Sequence, residues 1–340
     1  MRRVERARLP AAIACLIILT LVVASRVPQE AHAQTAALTQ SGVIPLPNVN
    51  GRIDHLAFDA ARHHVFVAAL GNNTVEVIDS ASNTHVKSLP GFHEPQGVAV
   101  LPDADAVAVA NGGTGTLQLI DARTLRTRWT VHIGDDADNV RYDRASRQLY
   151  VAAAGGLYAV DAAAGRVRGR IAIDGHPESF QIATSGGRVF ANLPGFVSSQ
   201  VVAGDLRSLS VAARWPTPGC NGVYPMALDE TRARIYIGCR RPARLEAIDT
   251  RSGTVAGSVD IDGDTDDLFF DEIRQRLYVI AGEGFVDVIR ADGDVLRSTT
   301  RLATRSGART GLWVPALHRL YVAVPARNGQ GAEIRLLDAN

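Results

Sequence analysis

Gln148-Leu149-Tyr150-Val151-Ala152-Ala153-Ala154-Gly155-Gly156-Leu157-Tyr158-Ala159-Val160-Asp161 is the stretch that decides the fold. It reads as an aromatic-led β-strand, a glycine turn and a second strand that ends in aspartate. Aromatic and β-branched side chains suit a pleated surface, and glycine turns the chain between strands. The phrase recurs along the chain. Aromatic-led strands stand at Val65-Phe66-Val67-Ala68, Val189-Phe190-Ala191-Asn192, Ile235-Tyr236-Ile237-Gly238, Leu277-Tyr278-Val279-Ile280 and Leu320-Tyr321-Val322-Ala323, with a degenerate copy at Ala106-Val107-Ala108-Val109. The strand ending in aspartate recurs as Val77-Ile78-Asp79, Leu119-Ile120-Asp121, Ala247-Ile248-Asp249 and Leu336-Leu337-Asp338. Successive copies are 40 to 46 residues apart.

Each unit holds about four stretches of strand-like alternation between Gly, Asn and Asp turns, and helical periodicity is absent after the N-terminal segment. Four strands in a period of about 40–50 residues is the mark of a propeller blade. Tandem sandwich domains need roughly 100 residues each, so a unit of this size is too short for them. The last unit has only three strands. Residues 41–51, from Ser41 to Gly51, resemble outer strands elsewhere, such as residues 253–263. These observations predict an all-β, seven-bladed β-propeller of four-stranded blades, closed by the N-terminal strand completing the last blade. Closure removes the unpaired edge that an open sheet would present.

The repeated phrase resembles the YVTN-type repeats of the YncE-like propellers over residues 41–340. That resemblance implies the propeller fold and an exported bacterial protein, with no particular reaction attached. Blade 4 departs most, because residues 192–200 replace the usual short turn.

The N-terminus reads as an export signal over residues 1–33. Arg2, Arg3, Arg6 and Arg8 precede an apolar run from Ala11 to Ala24 broken only by Thr20, and Ala31-His32-Ala33 supplies a small-x-small cleavage pattern. The run is shorter than the ~20 residues needed to span a bilayer, so no membrane span is expected after cleavage. Residues 34–340 are then expected to form a single propeller domain in the periplasm or outside the cell. This part carries 31 basic and 33 acidic residues, and Lys87 is its lone lysine. The arginines are scattered, so the basic stripe of a nucleic-acid-binding surface is missing. No CxxCH motif for covalent haem and no zinc-type cysteine spacing occur. A monomer is expected.

Cys220 opens the first strand of blade 5 and Cys239 ends the second. A hairpin turning at residues 229–232 brings those ends opposite each other, at a separation close to what a disulfide bridges. Two reduced thiols or a metal-binding pair are the alternatives.

Propellers place function at the axial channel, where the first strand of each blade begins. Alignment on the aromatic strands gives one mouth position per blade: Asp54, Gln96, Asp138, Glu178, Tyr224, Asp266 and Thr310. The next positions are His55, Gly97, Asn139, Ser179, Pro225, Asp267 and Gly311, and those after them are all apolar, from Leu56 to Leu312. The ligand-binding candidates are Arg52, Asp54, His55, Gln96, Asp138, Asn139, Glu178, Tyr224, Asp266, Asp267, Arg309 and Thr310. Converging carboxylates repel one another unless a cation sits among them. Asp54, Asp138, Glu178 and Asp266 are therefore the candidates for a divalent cation such as Ca²⁺ or Mg²⁺. The competing expectation is that Arg52, Arg141 and Arg309 neutralise them. His55, His93 and His176, with Glu94 and Glu178, form a weaker His/carboxylate pattern.

These residues favour a binding protein that holds a small molecule, an ion or a protein partner at a carboxylate-rich funnel. A metal-dependent lyase or hydrolase at the same mouth is the enzymatic alternative, and a protein-interaction platform is the third. The lack of a GxSxG nucleophile motif counts against hydrolysis by a serine.

Overall fold

A computed structural model describes residue 1 and residues 37–340 apart from residue 186. The export-signal expectation over residues 1–33 therefore lies, residue 1 aside, outside the described residues. Seven four-stranded antiparallel sheets follow one another as blades. Blade 1 runs from Leu56 to Leu89, blade 2 from Pro95 to His132, blade 3 from Val140 to Ala172 and blade 4 from Phe180 to Pro216. Blade 5 spans Asn221–Asp260 and blade 6 spans Thr265–Ala303. Blade 7 takes three strands between Thr310 and Ala339, and its fourth is Leu38–Leu46 from the other end of the chain. That closing strand pairs from Leu38 opposite Ala339 to Leu46 opposite Ala332. It begins a little earlier than residue 41, and residues 47–51 turn towards blade 1.

The aromatic-led strands are the second strand of each blade, and they are the driest part of the molecule. Phe66, Tyr236, Tyr278 and Tyr321 are fully buried, and Tyr150 and Phe190 are 1% exposed. Each packs into an apolar cluster with neighbouring strands or blades. Burying such rings contributes roughly 1.5–3 kcal/mol apiece before entropy is charged. The aspartates that end the third strands have a local role. Oδ1 of Asp79, Asp121, Asp161, Asp205 and Asp249 accepts the backbone N–H groups two and three residues on, which forms the turn into the outer strand. The repeat is thus a core side chain and a turn side chain at a fixed spacing.

Among the described residues, helical structure is limited to four three-residue turns, one of them Gly112–Thr114. That glycine-rich segment joins two strands of blade 2, as a hairpin turn would, and no helix follows to cradle a phosphate. No helix among the described residues is long and apolar enough to cross a membrane.

The register of blade 7 corrects one alignment. In blade 1 and blades 3 to 6 the first apolar residue of the inner strand pairs with the residue after the aromatic, as Leu56 does with Val67 and Leu268 with Val279; blade 2 has no aromatic there, and its Val98 pairs with Val109. In blade 7 the residue opposite Val322 is Gly311, not Leu312. The mouth position of blade 7 is therefore Arg309, and Thr310 sits one step deeper. The polar-to-apolar switch was read one residue late because glycine carries no apolar side chain to mark it. A side chain does not fit there: a Cβ on Gly311 would lie 2.3 Å from the Tyr321 carbonyl oxygen and 2.6 Å from Ile280.

Candidate functional site

Seven inner strands begin around one axis, so the residues just before them converge on a single mouth. A cavity of about 350 Å³ opens there. It is lined by six of the seven corrected mouth residues, Gln96, Asp138, Glu178, Tyr224, Asp266 and Arg309. The residue two places earlier also faces the mouth in four blades. Those positions hold Arg52, Glu94, Asp136 and His176, all on the cavity wall. Glu94, Asp136 and Asp264 adopt positive φ at 48°, 56° and 58°, a conformation that few residues other than glycine take up.

Blades 5, 6 and 7 and the approach to blade 1 form a half of the mouth in which acids meet guanidiniums. Arg240 donates to Asp266 Oδ1 at 2.7 Å, and its Nη2 lies 3.5 Å from Asp264 Oδ1. Arg309 reaches Asp266 through Nε at 3.0 Å and Asp264 Oδ1 through Nη1 at 3.1 Å. Arg52 is bonded to Asp54. The Tyr224 ring supports the guanidinium of Arg240, whose Cζ is 3.7 Å from the ring centroid. Burial nonetheless pushes the Asp266 carboxyl up to about 6, with Asp54 adding to the rise and Arg240, Arg309 and Arg52 opposing it.

His55 forms the floor. Its Nδ1 lies 3.2 Å from Asp267 Oδ1, and its Nε2 is 3.5 Å from Asp54 Oδ1 and 4.0 Å from Asp138 Oδ1. Burial opposes charge on the ring, but Asp267 and Asp54, helped by Asp138, raise its pKa to about 10. His55 is thus an imidazolium at neutral pH. Asp267 also accepts the Gly311 N–H at 2.9 Å, which ties blade 6 to blade 7 beneath the mouth. The Asn139 side-chain amide stands 2.9 Å from Nε2.

Blades 2, 3 and 4 form the other half. Among the described residues no arginine or lysine pairs with Glu94, Asp136, Asp138 or Glu178. Asp138 is 5% exposed, and its Oδ1 has no hydrogen-bond partner. Burial, reinforced by Asp54, holds its carboxyl well above the usual carboxylate range. His176 donates from Nε2 to the Asp136 carbonyl at 2.9 Å and turns Nδ1 to within 3.6 Å of Glu178 Oε1. Burial opposes its charge, yet Glu178 and the Asp136 carbonyl raise its pKa to about 9. Gln96 donates to Asp136 Oδ1 at 2.7 Å and holds that loop. One ligand atom from each of Asp138, His176 and Glu178 lies within 4.8 Å of the others.

The sequence candidates therefore divide by depth and by side. Arg52, Gln96, Asp138, Glu178, Tyr224, Asp266 and Arg309 line the cavity. Asp54, His55, Asn139 and Asp267 build its floor. Thr310 does not line the mouth: it is 1% exposed and its hydroxyl donates to the Ile53 carbonyl at 3.1 Å. Of the four cation candidates, Asp54 and Asp266 are taken by arginines, while Asp138 and Glu178 join His176. Arg141 neutralises none of them by direct pairing; it is half-buried, its Nη1 bonded to the Val140 carbonyl at 3.0 Å. His93 is exposed and does not line the cavity. Asp136 and Arg240 are mouth residues outside the sequence candidates, and Glu94 and His176 stood there only in the weaker His/carboxylate pattern. Extending the blade alignment two residues upstream finds Glu94, Asp136 and His176. Arg240 lies at the end of a second strand and has no such signal.

Cys220 and Cys239 are bridged, with Cα atoms 5.3 Å apart, and both are fully buried behind the mouth of blade 5. The long blade 4 loop rims the same region. Ser199 anchors it by accepting the Gly195 and Gly222 N–H groups, each at 3.0 Å, and Phe196 and Val197 at its tip are 82% and 84% exposed.

No family model matches the chain. Over 112 residues, 33% of its length, it is 34% identical to the uncharacterized protein YwhL of Bacillus subtilis (strain 168), and the match spans 24% of that protein. Among solved structures, hydrazine synthase of Kuenenia stuttgartiensis superposes with a TM-score of 0.74 at 16% identity, covering 81% of this chain and 94% of that one. A chain of the mitotic checkpoint complex superposes with a TM-score of 0.75 at 13% identity, covering 95% and 99%. Identities this low carry the architecture and not the activity. By its sheets and its structural neighbours, the chain is a seven-bladed β-propeller.

Proposed function

We propose that this protein is an exported binding protein of the YVTN-repeat, YncE-like kind, which holds a cationic ligand in the acidic half of its axial funnel. The observation that carries this reading is Asp138, a carboxylate that is 5% exposed, without a hydrogen-bond partner on Oδ1 and, among the described residues, not paired with an arginine. Leaving a buried acceptor unpaired costs about 1–3 kcal/mol, and a bound cation removes that cost. The Cys220–Cys239 bridge and the signal-like N-terminus support an oxidising, exported setting. A metal-dependent lyase or hydrolase is the second reading, favoured by the imidazole of His176 beside the two carboxylates.

Ligand-dependent thermal stability tests the binding reading. The chain is freed of bound ions with a chelator and titrated with divalent cations, spermidine, choline and, as anionic controls, citrate and phosphate. A cation that binds raises stability by about 2.7 kcal/mol at one hundred times its dissociation constant, and Asp138→Asn with Glu178→Gln abolishes the rise. Stabilisation by the anions alone would place the ligand on the arginine side and refute the cationic reading.

A further inference from the structure

We propose that Asp138, Glu178 and Nδ1 of His176 form a three-ligand site for a first-row divalent transition ion such as Zn²⁺ or Mn²⁺. This inference rests on the cationic reading of the funnel and narrows it to one ligand class and three named donors.

Blade 3 supplies Asp138 at the start of its inner strand. Blade 4 supplies His176 and Glu178 two residues apart on its approach, where both line the cavity. One ligand atom of each side chain already lies within 4.8 Å of the others. An ion with bonds of about 2.0–2.2 Å to imidazole and carboxylate draws them together by small side-chain rotations. The histidine is oriented for the task. Its Nε2–H donates to the Asp136 carbonyl at 2.9 Å, and a metal-ligating histidine commonly gives its second ring N–H to such a carbonyl, which fixes the ring. That leaves Nδ1 as the donor facing Glu178, 3.6 Å away and beyond hydrogen-bonding distance. An ion there displaces the Nδ1 proton to solvent and gives the orphan Oδ1 of Asp138 its partner.

The donor set selects the ion. Ca²⁺ takes six to eight oxygen ligands, and Mg²⁺ keeps most of its water. One imidazole with two carboxylates suits zinc or manganese better. The cavity of about 350 Å³ leaves room for water or an organic ligand at the remaining positions. The other His/Cys/carboxylate grouping among the described residues, Cys220, Cys239 and Glu246, is excluded because its sulfurs are joined to each other.

The test is metal binding by the chelator-treated full chain, read by calorimetry and by the visible absorption of added Co²⁺. The expected result is one equivalent of Zn²⁺ or Mn²⁺ bound at least ~100-fold more tightly than Ca²⁺ or Mg²⁺. His176→Gln and Asp138→Asn each weaken binding ~10-fold or more and change the Co²⁺ spectrum, while the exposed His93→Gln leaves both unchanged. Far-UV circular dichroism establishes that each variant is folded, and Glu178→Gln serves as the replacement where one is not. Retention of wild-type affinity and spectrum in His176→Gln would overturn the site. Stabilisation by spermidine or choline without transition-ion binding would overturn it too, while leaving the cationic funnel intact. Binding of neither class would remove both.

Discussion

The two halves of the mouth solve the same electrostatic problem in opposite ways. On blades 5 to 7 and the approach to blade 1, Asp264 and Asp266 meet arginines from neighbouring blades, and Asp54 meets Arg52 two residues before it. On blades 2 to 4, Glu94, Asp136, Asp138 and Glu178 meet no guanidinium, and the cations nearest to hand are imidazoles. A buried carboxylate paired with arginine is satisfied and inert; one left among other carboxylates is destabilised in its charged form. The first half is therefore neutralised from within, and in the second, among the described residues, the carboxylates have no guanidinium partner.

His55 underlies both halves, so removing it has the largest expected effect. His55→Gln leaves Asp267, Asp54 and Asp138 without their shared cation and costs about 4 kcal/mol in denaturant unfolding. The pH dependence has a definite sign. A folded-state pKa near 10, against about 6.5 for an ordinary histidine, gives stability that is complete below about pH 6.5 and lost as pH rises towards 10. Melting temperatures measured from pH 6 to 10 fall with that component in the wild type and lack it in His55→Gln.

The arginine-paired half is expected to carry mechanical closure as well. Replacing Cys220 and Cys239 by alanine opens a loop of sequence separation 19 and costs about 3 kcal/mol. Reducing agent produces the same fall in the wild type and none in the double variant. Arg240→Met removes a partner from Asp266 and Asp264 and the stack on Tyr224, for a loss of about 2 kcal/mol, with Arg309 still in place to limit it.

The smallest effect is the most discriminating, because its sign reverses. Asp138→Asn without ligand leaves stability unchanged or raises it by up to about 1 kcal/mol, since it removes a carboxylate held well above its usual range by burial and by Asp54. A loss of 2 kcal/mol or more at Asp138 would show that the two halves are alike after all, with an unrecognised partner on the acidic side.

The fold was largely legible, and the reason lies in particular residues. Tyr150, Tyr236, Tyr278 and Tyr321 mark second strands because those strands are buried on both faces. Asp79, Asp121, Asp161 and Asp249 mark turns because a carboxylate there accepts two backbone N–H groups. Both signals are local, the aromatic recurring in six blades and the aspartate turn in five, so one degenerate copy does not hide the period. The mouth was legible in part. Asp138, Glu178, Asp266 and Tyr224 fell into register with the strands, whereas Gly311 shifted blade 7 by one residue and put Thr310 where Arg309 belongs. Arg240 reaches the mouth from the end of a second strand, where its neighbours in sequence are ordinary strand residues.

By itself the sequence determined the number of blades, the closing of the ring by both ends of the chain and the carboxylate-rich character of the mouth. Each depends on patterns that a chain carries within one 40–46-residue unit or in the comparison of units. Only the tertiary structure decided which carboxylate faces which cation. Asp264 with Arg309, His55 with Asp267, and Asp138 with His176 and Glu178 are neighbours across blades. Coulomb energies at 3–4 Å in a half-buried mouth depend on those separations and on local burial, and no property of the residues taken one at a time contains them.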